Sequence, residues 1–185
     1  GDGGGGGTID PGCIPSMLPA GAAVPPDCGV FVTAGATGAG TQSDPTGDLA
    51  AALTDVPANK AVYVCGTDTF NGTFALAGGR SVFGGLSCAD WTYDPASRPK
   101  LLGSADSATL TVSGSGTTRV EDVLIENPNA VAAGASSIGV IVDGPTANDN
   151  GALDVNGSFT ISGGTLLALG SSGMAEAPDA GSAQG

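Results

Sequence analysis

"TFALAGGRSVFGG", Thr73 to Gly85, holds two short runs of strand character, Thr73–Leu76 and Ser81–Gly84, and each is followed by a glycine pair. Strands this short bury nothing alone, so they must stack on others. Glycine takes positive φ without steric cost, and the pairs Gly78-Gly79 and Gly84-Gly85 therefore read as sharp corners between strands. The same punctuation recurs at Gly114-Ser115 and at Gly163-Gly164, within the run "SFTISGGTLLALG".

Working outward, further strands are expected at 30–33, 61–65 (AVYVC), 109–114 (TLTVSG), 119–127 (RVEDVLIEN), 138–144 (IGVIVDG), 151–157, 158–162 and 165–170. One helix is expected, from Asp48 to about Val56. Asp48 is its natural N-cap, Leu49, Leu53 and Val56 share a face, and Pro57 ends it. No second helix separates the strands, which excludes a βαβ sheet and leaves an antiparallel sandwich or a parallel β-helix. Glycine corners, returns of roughly 20 residues and scarce hairpin signals favour the β-helix, with the short helix capping its N-terminal end.

Composition narrows the function classes. Of 185 residues, 33 are Gly and 12 Pro, and aromatics are 4%, so Val, Ile, Leu and Ala are expected to fill the core. Net charge is −13, with Lys60, Arg80, Arg98, Lys100 and Arg119 as the basic residues. This argues against nucleic acid or an anionic membrane as partner. An acidic ligand would need bridging cations. Histidine is absent, which removes Ser-His-Asp and Cys-His catalysis and every imidazole metal site. Cys13, Cys28, Cys65 and Cys88 permit three pairings; Cys13–Cys28 and Cys65–Cys88 close the shortest loops. Disulfides imply an oxidising, exported setting. No run of 18 apolar residues suits a membrane helix. Residues 1–27, Gly-rich then Pro-rich, read as a flexible linker like the spacer after a removed export signal or a lipid-anchor cysteine. Residues 28–176 would form a single domain and 177–185 a tail.

Two stretches resemble known families. From Cys28 to about Gly144, "VFVTAGATGAGTQSDPTGDLAAALTDVPANKAVYVCG" followed by "LAGGRSVFGGLSCADWTYDP" is similar to the N-terminal part of pectate-lyase-like, right-handed parallel β-helix proteins of bacterial surfaces. "NDNGALDVNGSFTISGGTLLALGSSGMAEAP" resembles a signature of calcium-dependent, polygalacturonate-binding carbohydrate-binding domains with the same fold. The second resemblance implies a domain that runs on past Ser182-Ala183-Gln184. Together they imply an all-β, right-handed parallel β-helix that binds carbohydrate without catalysis.

The candidate site residues follow. Asn148, Asp149, Asp154 and Asn156 place oxygen ligands at spacings that suit calcium, or else simply fill corners, where Asn and Asp tolerate left-handed backbone. Arg119 and Glu121 share a strand face: the plain reading is an ion pair, the functional one a carboxylate-binding Arg119 beside a cation ligand Glu121. Arg119 or Arg80 would be the base of a uronate lyase, the enzymatic alternative. Trp91 and Tyr93 in "CADWTYDP" offer rings that stack on sugars, although a Trp beside a disulfide also packs against it. The partner expected is an acidic polysaccharide such as polygalacturonate, bridged by calcium, with a structural or adhesive surface role as the alternative.

Overall fold

The computed structural model describes residues 9–143. Its twelve described strands are β1 (Gly29–Val32), β2 (Thr37–Thr41), β3 (Asp44–Thr46), β4 (Ala61–Cys65), β5 (Thr69–Asn71), β6 (Phe74–Ala77), β7 (Ser81–Leu86), β8 (Lys100–Leu102), β9 (Ala108–Ser113), β10 (Val120–Glu121), β11 (Leu124–Glu126) and β12 (Ile138–Asp143), with one α-helix, α1 (Leu49–Asp55). They form a six-stranded sheet in the order β10-β7-β4-β1-β3-β2 and two three-stranded sheets, β11-β8-β5 and β12-β9-β6. From β4 onward, each sheet receives every third strand.

The sheets correct the expected fold. A uniform right-handed parallel β-helix would pair every strand in parallel, but the largest sheet is mixed, because β2 runs antiparallel to β3. The cause is local turn chemistry. Asp44 Oδ2 accepts the Ala39 N–H at 3.0 Å, and the Asp44 N–H donates to Thr41 Oγ1 at 3.1 Å. These side-chain bonds fold "TGAGTQSDPT" back on itself. The two smaller sheets are wholly parallel.

The central strand β4 is buried at every position. A strand covered on both faces has no polar side to show, hence the unbroken run AVYVC. Alternate residues serve two cores. Val62 and Val64 join Val32, Val82, Leu76, Leu101 and Leu110 in one, which α1 closes with Leu49, Leu53 and Val56. Ala61, Tyr63 and Cys65 join Phe31, Phe83, Leu86 and Trp91 in the other. That second core is built largely on rings, against the aliphatic core expected from the low aromatic content.

The second core is covered by residues expected to be linker. Between residues 9 and 28 the chain makes three 3-10 turns, Pro11–Cys13, Pro15–Met17 and Pro26–Cys28. Ile14 and Val24 are buried there. Both short-loop disulfides are present, Cys13–Cys28 and Cys65–Cys88. The first ties down this covering segment. They fit a secreted or extracellular protein, and among the described residues no helix is long and apolar enough to cross a membrane.

α1 lies where the sequence placed it. The Asp48 carboxylate accepts the Ala51 N–H at 2.9 Å, capping the first turn.

Candidate functional site: a polar patch at the end of an aromatic ladder

Parallel register stacks like positions of neighbouring strands. On the outer face of the large sheet, Phe31 lies beside Tyr63 and Tyr63 beside Phe83. Their rings stack with centroids 5.2 and 5.7 Å apart. The next position in register, on β10, is Glu121. An apolar ladder under the N-terminal segment thus ends in a carboxylate at the sheet's edge.

Glu121 is held from two sides. Arg119 Nη1 donates to Oε1 at 2.7 Å, and the Ser16 hydroxyl donates to Oε2 at 3.2 Å. The plain reading of Arg119 and Glu121, an ion pair, describes the contact. The neighbouring Asp122 gathers a second group: its Oδ1 lies 3.2 Å from Arg98 Nη2, and its Oδ2 accepts the Tyr93 hydroxyl at 2.9 Å. Asp122 sits at φ 53°, a left-handed conformation that Asp tolerates better than most residues. Gly85, at φ 66°, lies directly below, where a Cβ would come within 2.9 Å of Asp122 Cβ. Glycine at this position lets the two chains approach and leaves the carboxylate turned toward Tyr93 and Arg98.

The hydrogen bond to Asp122 raises the Tyr93 phenol above its ordinary value, with burial and the Asp122 charge adding to it, so the hydroxyl stays a donor. Tyr93 is 37% exposed. Ser16, Tyr93, Arg98, Arg119, Glu121 and Asp122 therefore make a patch in which donors, carboxylates and a partly open ring lie side by side. Such a surface can hydrogen-bond hydroxyl groups, stack an apolar ring edge, and offer guanidinium groups to a carboxylate.

Three sequence candidates, Tyr93, Arg119 and Glu121, come together here. Trp91 lies apart from this patch. It is 6% exposed, meets Phe31 edge-on at 4.8 Å and donates its indole N–H to the Gln42 carbonyl at 3.1 Å. It belongs to the same buried core as Cys65. Both candidate lyase bases are engaged: Arg119 by Glu121, and Arg80 through Nε on the Val56 carbonyl. Asn148, Asp149, Asp154 and Asn156 lie outside the described residues. Among the described residues no group of three or more His, Cys, Asp or Glu side chains is placed to hold a metal ion. Ser16, Arg98 and Asp122 were missed. Ser16 falls in the stretch read as linker, Arg98 outside every expected strand, and Asp122 in the middle of an expected single strand that is in fact two.

No protein-family model, curated protein or solved structure matches the chain.

Proposed function

We propose that the chain is an exported, non-catalytic carbohydrate-binding protein that takes an acidic polysaccharide, such as polygalacturonate, at the Tyr93 patch. The observation that carries this reading is the convergence of Tyr93, Arg98 and Arg119 around Asp122 and Glu121. The ring supplies a stacking surface, and the two guanidinium groups supply partners for uronate carboxylates. The surrounding field is adverse, since the chain carries 18 acidic and 5 basic residues. A polyanion approaching it needs counter-charge, and calcium held by oxygen ligands is the cation in this reading. The disulfides support the exported setting.

The test is retention on polygalacturonate beads with calcium and then with a chelator. Retention that is lost with chelator, and weakened by Tyr93→Ala, supports the proposal. Equal retention in both conditions removes calcium from it, and no retention in either removes the acidic glycan. The alternative of a structural surface protein draws on one observation: all five basic side chains already have a partner within the chain, Lys60 on the Asp27 carbonyl and Lys100 on Glu126 among them. That reading predicts no retention on any glycan.

A further inference from the structure

The loop that carries Tyr93 also walls a groove of about 490 Å³. Four separate parts of the chain build it: the N-terminal segment, Thr33 just after β1, the β2–β3 turn and the loop after β7. The segment, the turn and the loop are tied to one another. The Val24 N–H donates to the Trp91 carbonyl at 3.1 Å, Gln42 Nε2 to the Val24 carbonyl at 2.8 Å, and the Trp91 indole to the Gln42 carbonyl. Cys88, on the rim, is fixed to Cys65. Trp91 sits at φ 59°, in a region where bulky residues are rare, and its buried ring and three hydrogen bonds, to Val24, Ser87 and Gln42, hold it there. The walls are therefore set before any ligand arrives. The size falls among small-ligand sites, roughly 300–1,000 Å³.

The lining has a definite chemistry. Thr33 and Ser43 bring hydroxyls, Gln42 a side-chain amide and Asp90 a carboxylate, and among the described residues no basic side chain lines the groove. Asp90 Oδ1 accepts both the hydroxyl and the N–H of Thr92. Hydrogen bonds from Thr92 and then Ser87 hold this carboxyl below the ordinary range, so it stays charged in mildly acidic surroundings. With this carboxylate on its wall, and in a chain whose net charge is −13, such a groove disfavours anions. We infer that it is a second binding site, independent of the Tyr93 patch, for a hydroxylated organic cation with the chemistry of an amino sugar. The ammonium group would face Asp90, and the hydroxyls would meet Ser43, Thr33 and Gln42.

The chain's single tryptophan lines this groove, so its fluorescence reports on it. The full chain is titrated with a glucosamine trimer, its fully N-acetylated counterpart and a galacturonic acid trimer. The glucosamine trimer should change the emission saturably, and the acetylated trimer should bind about three- to fivefold more weakly, as loss of an exposed charge pair implies. With calcium left out, the galacturonic acid trimer should leave the Trp91 emission unchanged. Asp90→Asn, which keeps the acceptor for Thr92, should bring glucosamine down to the acetylated level. Ala89→Leu, which narrows the groove, should abolish the response without lowering the melting temperature, and Tyr93→Ala should leave it intact. No saturable change with any trimer, equal affinity for free and acetylated amines, or full binding by Asp90→Asn or Ala89→Leu would overturn the inference.

Discussion

Asp122 illustrates how one residue sets the patch. Its left-handed backbone breaks what reads in "RVEDVLIEN" as a single strand into β10 and β11, and the same turn aims its carboxylate at Tyr93 and Arg98. Asp122→Asn keeps a residue that tolerates this backbone but removes the charge and weakens acceptance from the phenol. The Tyr93 titration, followed by its ring carbon signals in NMR, should then move down toward the ordinary tyrosine value. An unmoved titration would mean that Asp122 is not its cause. Tyr63 behaves differently. Burial, with a smaller effect of Asp27, raises its phenol far above the usual range, while its hydroxyl donates to the Cys13 carbonyl at 2.6 Å. The folded chain thus holds this proton more tightly than the unfolded chain does. The stabilisation is complete below the unfolded value of about 10 and is lost as pH rises beyond it. Tyr63→Phe should cost about 1 kcal/mol at neutral pH through the lost hydrogen bond, yet show a shallower fall in stability above pH ~10 in urea titrations. A fall as steep as that of the unmodified chain would refute this.

At the scale of elements, what the sequence revealed depended on whether a segment's own residues decide its conformation. The apolar run of β4 was read to the residue, because burial on both faces leaves an unmistakable pattern. α1 was legible from its cap and its apolar face. Asp48→Ala should cost about 1 kcal/mol and lower the melting temperature by roughly 2–4 °C; an unchanged midpoint would show that α1 is held by packing alone. β5 and β8 were missed, since three residues such as Lys100–Leu102 carry no periodicity and become strands only through pairing with each other and with β11. The β2–β3 hairpin was missed for another reason. Its "GAG" core looks like loop, and its turn rests on Thr41 and Asp44 bonding nearby backbone. Asn127, just past β11, acts as a pin: its amide nitrogen donates to the Ser107 and Ile138 carbonyls at 2.6 and 3.1 Å. Asn127→Ala strips both partners and should destabilise by about 1–3 kcal/mol in chemical denaturation, whereas a neutral result would place those carbonyls in contact with water.

Over the whole molecule, the covalent links decide how much of the second core persists. Cys13–Cys28 anchors the segment that covers the aromatic ladder, and Cys65–Cys88 anchors the loop that bears Trp91 and Tyr93. Their sequence separations, 15 and 23 residues, imply similar chain-entropy contributions of about 3 kcal/mol each. Both pairings followed from loop length, but the packing of residues 9–27 did not, because proline and glycine composition hides the few apolar residues, Ile14 and Val24, that dock. Likewise, Tyr93 and Arg119 stood out as separate candidates, and only the register of β7 with β10, together with Asp122 between them, joins them into one surface. That surface is where the polysaccharide is proposed to bind, and NMR mapping on the full chain tests it most directly. Titrating short galacturonate oligomers in calcium should shift the signals of Tyr93, Arg98, Arg119 and Asp122 together and leave α1 unmoved. Shifts confined to residues away from β10, or none at oligomer concentrations that saturate calcium, would contradict the account.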